Sequence, residues 1–271
     1  MDGLCKRSNI IMNNTTHNSS YHHHFKTGCK GCVMVMSLLL LLTGLAKAGV
    51  ASAQYHYCSW NRMTLQIPLG EKWSTDAEVQ ARWQNSVGSR NMFDEALLFS
   101  YRQWVYYKPD DRFRISLSPF AYFSAHPYIM KYGYEKLKPT GEYRATIAVE
   151  AQQQVLPRLN INGRMGAEYR MLRNSDDNWR TRYRVGSRYD INKKYSISGN
   201  YELLFTTHIA DVNTHLDNER IWAMMGRTIN RKLRAEVGLM HMRRKMTQNS
   251  TLVNEGDLLL NVTYSVGSYK H

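Results

Sequence analysis

Along residues 60–267 apolar and polar positions alternate with a period of two. In 158–171, Asn160, Asn162, Arg164, Glu168 and Arg170 fall on one series, and Ile161, Met165, Ala167, Tyr169 and Met171 on the other. A helix would scatter these residues around its axis, whereas a strand separates them onto two faces. In 142–154, Arg144, Thr146, Glu150 and Gln152 alternate with Tyr143, Ala145, Ile147 and Val149. In 178–191, Arg180, Arg182, Arg184, Arg188 and Asp190 alternate with Tyr183, Val185, Tyr189 and Ile191. The last segment sets Asp257, Asn261, Thr263 and Ser265 against Leu258, Leu260, Val262, Tyr264 and Val266. Eleven such segments can be counted, at roughly 60–68, 75–86, 95–107, 112–124, 142–154, 158–171, 178–191, 194–206, 218–229, 232–244 and 256–267. Many exceed the ~9–11 residues a tilted membrane strand needs. Globular strands average about 5–6.

The connections alternate as well. Gly70–Lys72, Lys108–Asp111, Leu156–Pro157, Asn192–Lys193 and Asn230–Arg231 are short, while 125–141, 172–177, 207–217 and 245–255 are long and 87–94 is intermediate. Short turns on one rim and long loops on the other predict an all-β, antiparallel up-and-down transmembrane β-barrel. Bacterial barrels usually have an even number of strands. A pairing segment at 54–59 would bring the count to twelve, and loss of one segment from the wall would bring it to ten.

The character of the polar face decides which way the wall faces. It is dense in Arg with interleaved Glu, where a solvated sheet would carry scattered Lys. Its positions include Glu78, Arg82, Arg144, Glu150, Arg164, Glu168, Arg170, Arg182, Arg184, Arg188, Glu202, Arg220, Arg234 and Glu236, with Arg102 and Arg114 on or near the same series. The guanidinium fork matches carboxylates and suits confined ion pairs. These residues are therefore expected to form an ion-pair network lining the lumen, with the apolar face turned to lipid. Arg182 and Arg184 are expected beside Glu168 or Glu202. Trp73, Trp83, Trp104, Tyr106, Tyr107, Trp179, Tyr183, Tyr201 and Trp222 lie mostly near segment ends, where interfacial aromatics belong.

The N-terminal part reads as an address. Residues 33–46 form a short apolar run, preceded by Lys26 and Lys30 and followed by the small residues Ala51 and Ala53. This is the layout of a secretory signal peptide. The expected division is an extended or non-native segment at 1–33, a signal peptide at 34–53 and one barrel domain at 54–271. Cleavage after Ala53 would leave Gln54 first, and cleavage after Ala48 is the alternative. The leader would remove Lys6, Arg7, Lys26, Lys30 and Lys47 with a single acid, Asp2, so the mature chain stays basic. It would also remove Cys5, Cys29 and Cys32, leaving Cys58 without a disulfide partner. No run reaches the ~18 apolar residues of a membrane-spanning helix.

Several stretches resemble a known family: "AEVQARW", "EYRATIAVEAQ", "GRMGAEYRM", "RTRYRVGSRYDI", "NYELLF" and "NERIWAMMGRTI", with Trp60 before them. The family is the domain-of-unknown-function family 2490, described as outer-membrane β-barrels, and the resemblance covers nearly all of 60–267. It implies a fold and a compartment, the bacterial outer membrane, and no activity. The chain ends Tyr269-Lys270-His271 and lacks the terminal aromatic expected of a barrel-assembly signal.

No catalytic constellation emerges. There is no G-x-S-x-G, and Ser198-Gly199-Asn200 is only an echo of one. His208 and His215, with Asp211 and Asp217 nearby, are the one arrangement that could converge on a metal, but His and Asp are ordinary loop residues. No metal site, catalytic residue, cofactor or nucleic-acid partner is therefore expected. The expected partners are outer-membrane lipid, the barrel-assembly machinery and an unidentified small ligand or ion. The leading reading is a non-enzymatic barrel with a largely plugged lumen or a narrow anion-preferring pore. An outer-membrane enzyme acting on lipid or glycan, and a soluble periplasmic ligand-binding barrel, are the alternatives.

Overall fold

The computed structural model describes residues 54–209, 213–245 and 252–267. They form eleven strands: β1 (Gln54–Pro68), β2 (Trp73–Gln84), β3 (Glu95–Tyr107), β4 (Phe113–Ala125), β5 (Thr140–Leu156), β6 (Leu159–Leu172), β7 (Asn178–Asp190), β8 (Tyr195–His208), β9 (Thr214–Thr228), β10 (Leu233–Lys245) and β11 (Leu252–Ser265). A single 3₁₀ turn, Tyr134–Lys136, lies in the β4–β5 loop. The expected leader and the final four residues lie outside the described residues.

Strands adjacent in sequence pair antiparallel, and β1 closes the barrel against β11. The closing ladder is parallel, running from Gln54↔Val253 to Gln66↔Ser265. That direction follows from the odd count, because in an up-and-down barrel the first and eleventh strands run the same way. Residues 54–59, counted from sequence as a twelfth strand, instead continue into β1 and lengthen it to 15 residues.

The connections β1–β2, β3–β4, β5–β6, β7–β8 and β9–β10 take two to five residues and lie on one rim. Those on the other rim take five or more, the longest being 85–94 and 126–139, while the expected long connections at 172–177 and 207–217 shorten to five residues each as their flanking strands extend. Three of the tight turns are fixed by a short side chain that accepts from the backbone ahead of it. Asp110 Oδ1 accepts from the N–H groups of Arg112 and Phe113 (2.7 and 2.9 Å). Asn192 does the same for Lys194 and Tyr195, and Asn230 for Lys232 and Leu233.

The wall is inside-out relative to a soluble barrel. Leu239 is 70% exposed and Met63 62%, whereas Glu168 and Glu255 are fully buried. Apolar residues thus face outward and charged residues inward, the distribution of a barrel surrounded by lipid. The inward parity of β4 is reset once. Ser116 and Ser118 are buried, the register slips between Ser118 and Ala121, and Ala121 and Phe123 then face inward. Pro119 sits within the slip, where its missing N–H costs no ladder bond.

Outward aromatics meet in pairs toward both rims. Trp73 and Tyr107 lie 4.7 Å apart at the short-turn rim, and Tyr169 and Trp179 5.0 Å apart at the long-loop rim. Trp104, Tyr106 and Trp222 depart from the expected interfacial placement. Trp104 is buried, and all three line the interior, with Arg102 over Trp104, Arg114 over Tyr106 and Trp222 packed on an inner apolar cluster.

Candidate functional site: the lumen

Because every strand alternates, each contributes one charged row to the interior, and rows from different strands meet there. Glu168 on β6 is the hub. Its carboxylate reaches Arg102 on β3 (2.9 Å), Arg182 on β7 (3.4 Å) and Arg144 on β5 (3.6 Å). β3 and β6 are separated by two strands in the wall, so the Arg102 contact braces the interior across them. Glu202 on β8 accepts from Arg182 (3.1 Å) and from Arg220 on β9 (2.6 Å). Glu150 on β5 holds Arg114 and Arg184, each at 2.9 Å. Glu142 holds Arg144 and Arg170.

The expected neighbours of Arg182 are thus in place. Arg184 differs. Its backbone partner is Glu202, yet its guanidinium bonds Glu150, two strands away. Glu78 pairs with Arg62 of β1 at 3.5 Å. Arg188 pairs with Asp190, and Arg234 with Glu236, two residues along the same strand. Arg234 also donates to Ser196 Oγ on β8 (2.7 Å). Arg164 makes no ion pair among the described residues. It lies over the Trp104 ring, opposite Arg184 in the register.

A second cluster fills the interior near the long-loop rim. Arg82 bonds Glu255 (3.1 Å) and Asp257 (3.4 Å), and Arg244 approaches Glu255 at 3.4 Å. The β4–β5 loop folds into this cluster. Tyr128 donates its hydroxyl to Glu255 Oε1 (2.8 Å) beneath the Arg244 guanidinium. Burial holds the Tyr128 phenol well above its ordinary pKa, so it stays a donor. Gln84 clamps the same loop from both sides, accepting from Ile129 N–H (3.1 Å) and donating to the Pro127 carbonyl (3.0 Å). Ile129 is 4% exposed, and Met130 lies against His56. The loop therefore stops part of the long-loop mouth.

Glu255, Arg244, Glu142 and the Arg180–Asp217 pair were not among the residues expected in the network. Arg180 and Asp257 stand on the polar series of their strands, so the signal for them is present in the alternation. Glu255 falls inside β11, which begins four residues earlier than the alternation suggests. Cys58, Glu255 and Asp257 come together closely enough to suggest a metal centre. Arg82 already occupies both carboxylates, which makes the cluster an ion-pair site instead. The His208 and His215 rings stack at 5.4 Å, Asp217 is turned to Arg180, and Asp211 lies outside the described residues.

Two spaces among the described residues open on the interior. One, of about 450 Å³, lies at the short-turn rim among Gln66, Lys72, Trp73, Tyr106, Lys108, Arg112, Arg114 and Glu150. The other, of about 100 Å³, lies deeper, between the Arg182–Glu202–Arg220 ladder and β1, β10 and β11.

The model of DUF2490, a family described as a protein of unknown function, matches residues 58–253. No curated protein matches the sequence. Among solved structures, the NanC porin superposes with a TM-score of 0.50 at 11% identity, covering 77% of this chain and 96% of the porin. The KdgM porin gives 0.42 at 14% identity, covering 78% and 98%. The first likeness supports the barrel fold.

Proposed function

The chain belongs to the DUF2490 family, and from its porin-like barrel we propose an outer-membrane protein with a narrow, anion-preferring passage, largely filled by ion pairs. In this reading it is non-enzymatic, is exported by the 34–53 signal and meets lipid along its apolar outer wall. The observation that carries the reading is the charge of the interior. Glu142, Glu150, Glu168, Glu202 and Glu255 are each shared by two or more Arg, while Arg164 pairs with no carboxylate among the described residues. The surplus falls on the cationic side, and a low-dielectric wall focuses it on whatever enters. The loop at Tyr128 and the Arg ladders narrow the path well below that of open porins of 16–18 strands.

The exposed outer face supports lipid contact over the soluble periplasmic alternative, since soluble monomers rarely expose apolar patches beyond a few hundred Å². The measurement is planar-bilayer recording across a salt gradient. Small steps with a reversal potential on the anion side are expected. Stable porin-sized conductance, or cation selectivity, would refute the proposal.

A further inference from the structure

The deeper cavity has two chemically different walls. One is cationic, with Arg62, Arg182, Arg184 and Arg220 facing a single lining carboxylate, Glu202. The other is apolar, where Met224, Met240 and Leu259 pack with Trp60 and Trp222. Bracing the wall requires only the first. Met224, Met240 and Leu259 stand on inward positions of β9, β10 and β11 and cluster there, whereas Ala148 and Leu204, also inward, each stand between polar residues of their own strand. The three clustered residues are only 5–8% exposed, so they form a compact patch and not isolated contacts.

We infer that this cavity is a binding site for a short aliphatic monocarboxylate. The guanidinium forks take the carboxylate, and the thioether and indole surface takes the carbon tail. Arg62 is the arginine best placed to turn toward such a ligand. It is 38% exposed, its ion pair to Glu78 is long at 3.5 Å, and its other partner, the Asn261 amide oxygen at 3.0 Å, is neutral and lines the same cavity. Arg164 stands opposite Arg184 without a carboxylate of its own and adds to the positive field. Size limits the class further. A dry cavity of about 150 Å³ accommodates benzene, so about 100 Å³ suits a ligand the size of acetate or propionate. Inorganic oxyanions would satisfy the arginines and leave the apolar wall against water.

The inference rests on the anion-preferring reading of the lumen but is tested by equilibrium binding, which can fail or succeed independently of conductance. Folded protein in detergent is titrated with sodium propionate at constant ionic strength, reading tryptophan emission, and labelled propionate is followed in parallel by equilibrium dialysis. Saturable binding in the millimolar range is expected, with sodium chloride and sodium sulfate giving no saturable change. Arg62→Gln should weaken binding about tenfold, the loss of one charge-assisted hydrogen bond. Met240→Phe, which fills the cavity, should abolish it. Leu259→Phe serves the same purpose should the first variant lose the heat-modifiable mobility of the folded barrel. Absence of saturable propionate binding by dialysis, equal binding of sulfate, or full binding by a folded cavity-filled variant would overturn the site.

Discussion

Replacing Glu168 with Ala tests whether the interior is held by its ion pairs. Glu168 is fully buried and is contacted by Arg102, Arg144 and Arg182 from three strands. Two of these cations have another carboxylate, Arg144 in Glu142 and Arg182 in Glu202. Arg102 makes no second ion pair among the described residues: its register partner Glu78 is held by Arg62, and Arg102 would be left with that distant charge and the faces of Trp104 and Phe123. Removing one partner of a buried pair costs about 3–5 kcal/mol, because the remaining charge is desolvated without compensation. With two of three arginines still paired, the lower end, about 3 kcal/mol, is expected. The assay is urea unfolding of the barrel in lipid vesicles, followed by heat-modifiable gel mobility. Glu236→Ala is the comparison. Glu236 pairs along its own strand with Arg234 and is partly open, so its loss should cost no more than about 1 kcal/mol. The double variant Arg102→Met/Glu168→Met should recover much of the loss, since an apolar pair of similar volume removes the uncompensated charge. A Glu168→Ala barrel within about 0.5 kcal/mol of the unaltered protein, a surface-like effect, would refute the idea that Glu168 braces the wall.

Two further outcomes follow from the loops. Tyr128→Phe combined with Gln84→Ala removes the bonds to Glu255, Ile129 and Pro127 and should raise bilayer conductance and its open-state noise, while unchanged recordings would mean that the loop does not obstruct the path. Hydrogen bonds from Ser89, Ser86 and Asn91 hold the exposed Asp94 carboxylate below its ordinary pKa, so the order they give the β2–β3 loop is present above the unfolded carboxylate range and lost as pH falls through the lowered value; the protection of the Ser86 amide, its exchange rate relative to the intrinsic rate at the same pH, should fall on acidification in the unaltered protein and be low at every pH in Asp94→Ala.

The wall was legible in the sequence because a period of two is a local property. All eleven alternating segments correspond to strands, and 95–107 matches β3 end to end. Which residues share a face is legible for the same reason, since side chains alternate along each strand. What was not legible depends on distance across the barrel. Pattern alone places Arg184 beside Glu202, but a long side chain chooses Glu150 two strands away. Position near segment ends points Trp104 and Trp222 toward the interface, but both line the interior. Their inward orientation depends on the parity of their strands and on arginines and methionines supplied by other strands. The inserted loop did leave a trace, the apolar run Pro127-Tyr128-Ile129-Met130 within an otherwise polar connection. Its target could not be read, since Gln84 and Glu255 are far away in sequence.

Strand number and the stopped mouth are connected through β1. Because β1 and β11 run in parallel, the first residues of both strands stand at the long-loop rim, and His56 and Cys58 face the cavity that Glu255 and the β4–β5 loop occupy. Had 54–59 turned back as a separate strand, those side chains would belong to another part of the wall. A disulfide can test the closure directly. Leu65 and Tyr264 are register partners on the outer face. Neighbouring strands lie about 4.7–4.9 Å apart, within the Cα separation of about 4.4–6.8 Å that a disulfide tolerates. In a Cys58→Ser background, Leu65→Cys with Tyr264→Cys should therefore oxidise to a closed species whose gel mobility changes on reduction. Leu239→Cys with Leu258→Cys, partners across β10 and β11, provides the positive control. Efficient crosslinking of the control and none at the seam, both in folded protein, would exclude the parallel closure. It would also detach His56 from the loop it is seen to support.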